Sequence, residues 1–426
     1  MILSIIAAVR ALFFRAGVGH ARFMPAAFLD VTDPDFDFDA PEVLDAQERD
    51  WYAESPIGIL VLRYAQAQEL LRDQRLTHNG KGYMELNGVV DGPIYDWFVP
   101  AIVNQDGEQH RRTRGLVAKV FTPRMIHNLR PFIRTQAEAL AERLADAGEV
   151  EFVEEAATPL PFVVMCELLG VPREDYAEFR RWSSDIGLVF SLAHGGDIAK
   201  RVEAAVIGLY NYADSLLHKK KTAPTDDLIS ALVAAHESES IGWEELRNLV
   251  VSLVFAAHDT GRHQLAKAVA TFADHPDQWT LLGQRPELAA QAVEEVMRWS
   301  PAVTNVYRFA AEGFDYHDLL ITEGTFLTIC LPTVQRDPRI FPTGQSFDIT
   351  AAREAGVLQF GAGPHYCLGA ALARAELEET LPAFAARLTP PVITGPVTWS
   401  PPLGIHGPET LPLRVRPREP GWSGRS

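Results

Sequence analysis

A ten-residue segment, residues 360–369, constrains this 426-residue chain more than any other part of it. It reads FGAGPHYCLG and places Cys367 at the exit of a glycine-rich loop, directly before a run with helical periodicity. Glycines let a loop backbone approach a flat ligand closely, and a proline stiffens the loop. A thiol at a helix N-terminus lies near free backbone N–H groups, which favour the thiolate. The segment therefore predicts a soft, anionic ligand for an iron centre.

The segment resembles the haem-binding loop of the cytochrome P-450 family, F-G-x-G-x-H-x-C-x-G, and meets every fixed position of that pattern. The resemblance implies haem b as cofactor, with an axial thiolate from Cys367. It also implies that Phe360, His365 and Gly369 contact the haem. A lone cysteine is more often a small buried hydrophobe, but ten residues matching in register leave little room for that interpretation.

Composition limits the other possibilities. The formal net charge of −17 argues against general binding to nucleic acid. The cysteines, Cys166, Cys330 and Cys367, are few and widely spaced, so they indicate no disulfide framework and favour a reducing, cytoplasmic location. We expect Cys166 and Cys330 to be packing residues.

We expect one large catalytic domain over residues 31–416. Residues 1–30 are predicted to be a partly ordered leader, because the apolar run at 1–9 is shorter than the roughly 20 residues that a membrane span needs. Membrane contact is therefore not expected, although a short membrane-touching helix and a weak signal-like segment stay open as alternatives. Residues 417–426, with their prolines and glycines, are predicted to be disordered.

Hydrophobic periodicity predicts a mainly helical chain with a small β-rich region. Residues 57–62 are predicted to form a strand. Residues 241–275 are predicted to form the longest helix, with Ser240 as N-cap and Pro276 at its end. This helix is apolar almost all round and should lie centrally, so the polar side chains at 258–260 need a reason.

The sequence AAHDT in that long helix resembles the oxygen-binding I-helix of the same family, A-G-x-(D/E)-T. The resemblance implies that Thr260 faces the distal side of the haem, that Ala256 contacts the haem, and that Asp259 relays protons to Thr260. The alternative is that Asp259 and Thr260 satisfy each other or the backbone. Ala257 stands where the family usually has glycine, and Gly261 replaces a frequent second threonine, so oxidative coupling stays open as an outcome.

Basic residues in the family's register are implied to bind the two haem propionates. His110 and Arg114 match the family's H-x-x-x-R and lie one helical turn apart. Arg308, seven residues after Pro301, resembles the arginine of a strand near the haem. His365 completes the set, and a guanidinium suits a carboxylate best. Taken singly, each fits a solvated basic residue as well.

A further motif is assigned a structural role. Glu295 and Arg298 lie three residues apart on one helical face, where surface ion pairs are common and stabilise little. In register they resemble the family's E-x-x-R, which joins a third arginine to hold the core around the haem. Arg353 is our candidate for that third member.

Eight apolar residues are the candidates for the substrate pocket, by resemblance to the family's pocket. They are Trp97, Phe98, Val189, Phe190, Phe255, Val303, Val306 and Ile405. Because the set is apolar, we expect a small apolar or amphipathic organic substrate. Each residue alone fits ordinary core packing equally well.

The matches span about residues 57–415 and identify the chain as a member of the cytochrome P-450 family, of the soluble bacterial type. The implied fold is a single large helical domain with a small β-rich region, and haem between the I-helix and the cysteine-bearing L-helix. The implied activity is that of a haem-thiolate monooxygenase of secondary metabolism, which hydroxylates or epoxidises its substrate with O₂ and two electrons. A member that performs oxidative coupling, ring closure or peroxide-driven oxidation is the alternative.

The chain has no length left for a flavin domain, so the electrons should come from a separate protein. By resemblance, this is a ferredoxin with its NAD(P)H reductase, docking over the cysteine side where Arg111, Arg112 and Lys119 form a basic patch. Two other classes compete with an enzyme. A haem sensor or carrier would not need Asp259 beside Thr260, and a helical scaffold would bind no haem.

Overall fold

The structure is a computed structural model that describes residues 25–190, 197–238 and 241–418. It is mainly helical with small sheets, as predicted. The described α-helices are α1 (Pro41–Arg49), α2 (Tyr64–Leu70), α3 (Gly80–Leu86), α4 (Gly92–Phe98), α5 (Gly107–Val120), α6 (Pro123–Ala147), α7 (Pro159–Leu169), α8 (Tyr176–Gly187), α9 (Ile198–Thr222), α10 (Leu228–Ser238), α11 (Trp243–Asp274), α12 (Pro276–Gln284), α13 (Ala289–Trp299), α14 (Leu331–Val334) and α15 (Ala370–Arg387).

The strands form four small sheets in the described part of the chain. They are β1 (Tyr52–Ser55), β2 (Gly58–Val61), β3 (Leu76–Thr77), β4 (Glu149–Glu151), β5 (Asn305–Ala310), β6 (Phe314–Tyr316), β7 (Leu319–Ile321), β8 (Phe326–Cys330), β9 (Val392–Ile393), β10 (Thr398–Trp399), β11 (Pro408–Thr410) and β12 (Pro412–Arg414). The largest sheet has the order β1-β2-β8-β5-β3, and the others are β4-β12-β9, β10-β11 and β6-β7.

Helix α11 runs through the main hydrophobic core, where α7, α8, α9 and α13 pack against it. The predicted helix at 241–275 is observed as Trp243–Asp274, with Gly242 at the N-cap position. The N-cap predicted at Ser240 lies outside the described residues. The helix ends where expected, since His275 precedes a proline and leaves the helical region at φ −129° and ψ 64°.

The large sheet forms a second core beside the helices. The predicted strand at 57–62 is observed as β2, which pairs in parallel with β8 through Ile59 and Leu327. Gly58 begins β2 with φ 136°, and a Cβ there would lie 2.1 Å from the Phe326 carbonyl oxygen. Only glycine fits this position, so the close approach of β2 to β8 depends on it.

Helix α15, which follows the cysteine loop, packs against α6, α12 and α13. It begins at Ala370, with Gly369 at the N-cap position, so Cys367 lies in the loop just before the first turn. Leu372 and Ala375 are buried as the periodicity predicts. This packing fixes the direction in which the helix N-terminus points.

A buried ion network ties α13 to the loop after α14. Arg298 and Glu295 are each only 2% exposed, and Arg298 Nε donates to Glu295 Oε2 at 2.7 Å. Arg298 also donates to the carbonyl oxygens of Gly344 and Ser346, both at 2.8 Å. Arg353 Nη2 donates to Glu295 Oε1 at 2.9 Å. The motif is therefore no solvated surface pair, because its charges lie in the core.

The edges of the predicted domain are tied to the core in the described residues. Leu29 N–H donates to the Glu54 carbonyl at 2.9 Å, and Arg418 N–H to the Arg387 carbonyl at 2.8 Å. The rest of the predicted leader and tail, residues 1–24 and 419–426, lies outside the described residues. Across the described ranges, no helix combines the length and apolar composition that crossing a membrane requires.

Removing Arg298 would leave Glu295 buried without its main partner. We expect Arg298→Ala to lower the free energy of unfolding by about 3–5 kcal/mol, measured by denaturant unfolding. The control is Arg285→Ala, which removes an exposed pair with Glu287 and should change stability by less than about 0.5 kcal/mol. Equal losses in the two variants would contradict the structural role of the network.

Candidate active site

The cysteine loop holds Cys367 in a fixed position before α15. The Cys367 N–H donates to the Phe360 carbonyl at 2.8 Å, which closes the loop. Gly361 and Gly363 have φ values of 69° and 67°, in the left-handed region that favours glycine. Cys367 keeps accessible surface while Phe360 is buried. The thiol is therefore available to a ligand.

The charge state of the Cys367 thiol is set by opposing effects. Although the residue keeps accessible surface, the protein atoms packed around its sulfur raise the thiol pKa by desolvation, whereas the backbone N–H groups of Gly369 and Ala370 and the charges of Arg114 and Arg374 lower it. The N–H groups at the helix N-terminus therefore lower the pKa as expected, and desolvation of the sulfur opposes them. A bound metal ion deprotonates a coordinating thiol outright.

Three of the four predicted propionate ligands meet beside this loop. The rings of His110, from α5, and His365 stack with centroids 4.0 Å apart and an interplanar angle of 17°. Arg114, one turn further along α5, donates from Nη2 to the Tyr366 carbonyl at 2.5 Å. His365 Nε2 lies 3.1 Å from Asp106 Oδ1. Burial is the main reason that the pKa of His110 falls to about 4.

The fourth predicted propionate ligand, Arg308, is connected to the other three through His78. The sequence analysis missed His78. Arg308 Nη1 lies 2.7 Å from His78 Nε2, and the His78 ring centroid is 4.0 Å from that of His365. The pairing of β3 with β5, Thr77 opposite Phe309, places His78 alongside Arg308. Burial lowers the pKa of Arg308 to about 10, so the guanidinium stays charged at neutral pH.

These side chains fit the haem that the sequence implies. Two guanidinium groups and three imidazoles lie on the side of the cysteine loop, which suits two carboxylates, and a cysteine thiolate suits the iron. On α11, Ala256 is exposed although Phe255 and His258 beside it are buried. An exposed alanine within a central helix indicates a surface that a flat ligand can approach closely.

The predicted oxygen-activating residues are both engaged within the protein. Thr260 Oγ1 donates to the Ala256 carbonyl at 2.9 Å, and Asp259 Oδ1 accepts from Arg262 Nε at 3.2 Å. His263 Nε2 lies 3.7 Å from the same carboxylate oxygen. In the structure, a backbone carbonyl therefore accepts the Thr260 hydroxyl hydrogen bond, and the Arg262 guanidinium pairs with the Asp259 carboxylate. Such threonine bonds to the preceding turn loosen a helix locally.

The eight predicted pocket residues fall into two groups. Those that keep accessible surface are Phe190, Val303, Val306 and Ile405. Trp97, Phe98 and Val189 have no exposed surface, and Phe255 is only 8% exposed. The buried aromatic rings contact the accessible Phe190, whose centroid lies 5.4 Å from that of Phe255 and 6.3 Å from that of Phe98. Trp97 and Phe255, for example, meet edge to face at 5.3 Å.

Two tyrosines that the sequence analysis missed lie beside these aromatic residues. The rings of Tyr83 and Tyr307 stack at 4.9 Å with an interplanar angle of 14°, and neither residue is fully buried. Tyr307 Oη donates to Asn104 Oδ1 at 3.3 Å. Tyr307 follows Val306 on β5 and so lies on the opposite face of the strand, and its stacking on Tyr83 joins residues 224 positions apart, so neither place follows from a local pattern.

Comparison with known proteins decides what this arrangement is. Residues 60–387 match the family described as Cytochrome P450. This chain belongs to the cytochrome P450 family. It is 45% identical over 388 residues to luteothin monooxygenase of Streptomyces thioluteus, across 91% of this chain and 95% of that one.

Other relatives agree. Mycinamicin IV hydroxylase/epoxidase of Micromonospora griseorubida is 35% identical over 319 residues, which cover 73% of this P450 and 79% of the relative. A solved cytochrome P450 from Chondromyces apiculatus superposes with a TM-score of 0.81 at 29% identity, covering 92% of this chain and 99% of that one. The protein is a P450 monooxygenase, with cysteine-ligated haem as cofactor and an external electron donor.

The departure of this P450 from the family's I-helix pattern at Gly261 has a steric reason. A Cβ at Gly261 would lie 3.1 Å from Pro161 Cβ and 3.4 Å from Glu376 Oε2. A second threonine would press closely on Pro161, which would have to shift by a few tenths of an ångström, and would come into ordinary contact with Glu376. Glu376, which the sequence analysis missed, thus reaches from α15 to α11 one residue after Thr260.

Burial raises the pKa of Glu376 to about 8 from an ordinary value of 4.5. The folded protein therefore keeps a proton that the unfolded chain releases above about pH 4.5, and stability falls as the pH rises from there towards 8. No motif or periodicity of the sequence marks this residue, because its protonation follows from how α15 lies against α11.

We expect Glu376→Gln to remove this pH dependence. The difference in melting temperature between this variant and the unmodified protein should increase by at least about 2 °C from pH 5 to pH 8. One pKa unit corresponds to about 1.4 kcal/mol of stability. Scanning calorimetry at several pH values measures the difference. The exposed variant Glu42→Gln is the control, and a parallel course for both variants would show that Glu376 is ionised in the folded protein.

Proposed function

We propose that this P450 inserts one oxygen atom from O₂ into a small apolar or amphipathic molecule of secondary metabolism, by hydroxylation or epoxidation. The observation that carries the proposal is the conjunction of an accessible Cys367 before α15 with Asp259 and Thr260 on α11. A haem carrier without turnover would have no use for an acid beside a hydroxyl. The relatives named as a monooxygenase and as a hydroxylase/epoxidase support the same reaction class.

Haem bound to Cys367 supplies the redox chemistry that activates O₂. The chain's own basic side chains orient it, with Arg114 and His110 from α5, His365 from the cysteine loop and Arg308 from β5 directed at the propionates. A buried guanidinium gains more from a carboxylate than an exposed one, since little water competes. Phe360, Gly369 and Ala256 are small or flat contacts for the ring.

Asp259 and Thr260 deliver protons in the proposed mechanism. Thr260 Oγ1 can exchange its bond to the Ala256 carbonyl for a hydrogen bond at the distal side by rotation of χ1. After leaving Arg262, Asp259 can take up a proton from solvent and pass it to Thr260. Glu376, which reaches from α15 to the Gly261 position of α11, holds a proton at neutral pH and is a second acid near this part of the helix.

The substrate is bound by apolar surface in this proposal. Phe190, Val303, Val306 and Ile405 offer accessible apolar area, and burial of ligand surface contributes roughly 25 cal/mol per Å² before the costs of binding. The Tyr307 ring is engaged within the protein, since it stacks on Tyr83 at 4.9 Å and on Phe326 at 5.6 Å, so it supports the site by packing.

Turnover under labelled O₂ tests the reaction class. A compound that shifts the haem spin state is incubated with the purified protein, a ferredoxin, its reductase and NADPH under ¹⁸O₂. One labelled oxygen atom in the product supports the proposal. A product without label would instead assign oxidative coupling or ring closure, which remove electrons from the substrate and need not transfer oxygen.

Thr260→Ala should separate oxygen activation from haem binding. We expect the variant to keep the haem spectrum and to yield at least roughly tenfold less product per NADPH, with the electrons recovered as peroxide or water, because a positioned proton donor contributes about 10²–10⁴-fold. Thr260→Ser, which keeps the hydroxyl, is the control. Full coupling in Thr260→Ala would remove Thr260 from the mechanism.

We propose that the electron donor is an acidic ferredoxin that docks over the basic residues of α5. Arg111 and Lys119 are exposed on this helix. Arg112 is also exposed, but its Nη2 donates to Glu245 Oε1 at 2.7 Å, so part of its charge is already compensated. Opposite charges across such an interface raise the association rate and make it sensitive to salt.

Charge reversal at Arg111 and Lys119 tests this surface. We expect the double variant to be reduced more slowly by ferredoxin at low ionic strength and to lose most of the salt dependence, measured by stopped-flow absorbance. Lys200→Glu, an exposed change on α9, is the matched control. An unchanged rate and salt dependence in the double variant would place the docking surface elsewhere.

A further inference from the structure

We propose that His78 is an additional residue of the cofactor site. Its Nε2 positions the Arg308 guanidinium, and its Nδ1 donates a hydrogen bond to the haem propionate that Arg308 binds. The residues that the family pattern marks for this role are His110, Arg114, Arg308 and His365. The inference rests on the proposed role of Arg308, and its test separates the two.

The first observation is the contact between His78 and Arg308. Both residues are buried, at 5% and 3% exposed, and Arg308 Nη1 lies 2.7 Å from His78 Nε2. A guanidinium only donates hydrogen bonds, so Nε2 must be the acceptor in this contact. The proton of the neutral imidazole is therefore on Nδ1.

The second observation is that Nδ1 has no partner. It is buried and makes no hydrogen bond to any residue that the structure describes. A buried N–H without an acceptor costs about 1–3 kcal/mol, so proteins rarely keep one. Burial, reinforced by the charge of Arg308, lowers the pKa of His78 well below its ordinary value, which keeps the ring neutral and Nδ1 a single donor.

The charges around His78 select an anion as the missing partner. His78, Asp106 and His365 bring three potential metal-ligand atoms within 4.8 Å of one another. A cation there would need the Nε2 lone pair that Arg308 already uses, and the guanidinium would repel it. Asp106 is already engaged, since its Oδ2 accepts from the His78 backbone N–H at 3.3 Å and its Oδ1 lies beside His365.

A carboxylate of the haem satisfies these conditions. It would accept from His78 Nδ1 and from Arg308, two donors held together by the 2.7 Å contact. The ring contacts of His78 with His365 at 4.0 Å and with Tyr307 at 5.9 Å hold the imidazole in place. The role of His78 is thus to limit the rotation of Arg308 as well as to add a hydrogen bond.

Haem release measures this role without depending on turnover. Ferric protein is mixed with excess apomyoglobin and the transfer of haem is followed by absorbance. We expect His78→Phe to release haem roughly 10–150-fold faster, the fold-change that corresponds to one lost buried hydrogen bond to a charged group. His78→Gln, which keeps an acceptor and a donor, should stay within about threefold. The exposed variant His127→Phe is the control.

A double-variant cycle with Arg308→Ala separates this inference from the proposed role of Arg308. If His78 acts through Arg308, the effect of His78→Phe on release shrinks at least about threefold in the Arg308→Ala background. Fast release from Arg308→Ala with wild-type release from His78→Phe would overturn the inference and leave the role of Arg308 intact. Wild-type release from Arg308→Ala would overturn both.

The reduction potential gives a second readout from the same proteins. Because His78→Phe changes how positive charge is held beside the propionate, the midpoint potential should shift in this variant and return towards the wild-type value in His78→Gln. Faster haem release with an unchanged potential would mean that His78 only fills space, and would overturn the inference.

Discussion

The 2.8 Å hydrogen bond from the Cys367 N–H to the Phe360 carbonyl is the contact on which the rest of the site depends. It closes the glycine loop and sets the thiol before α15, so every other group has to be brought to that point. Helix α11 passes through the core and presents Ala256 and Thr260. The buried pair of Glu295 and Arg298 fastens α13 to the segment that leads into the loop.

Burial governs the electrostatics of this P450 in both directions. It raises the pKa of Cys367 and of Glu376, and lowers those of His110 and Arg308. Each of these shifts opposes the charged form of the group. Ligands of opposite charge would stabilise the charged forms: iron would bind the thiolate, and carboxylates would pair with the guanidinium groups.

The sequence was sufficient where the signal is local or the family pattern is strict. Cys367 and its helix, the helix that carries Thr260, and the contact of Arg353 with Glu295 were all expected from the sequence, although the last joins residues 58 positions apart. His78 and Glu376 were not expected. One depends on the pairing of two short strands, the other on how two helices pack, and neither relation leaves a periodic signal in the chain.

The difference spectrum of the dithionite-reduced protein with and without carbon monoxide tests the central claim most directly. Thiolate ligation by Cys367 predicts a strongly red-shifted Soret band, which Cys367→Ala should abolish. A band at the position of imidazole- or thiol-ligated haem would contradict the account, because Cys367 would then not bind the iron as a thiolate. A protein that takes up no haem would contradict the cofactor site as a whole.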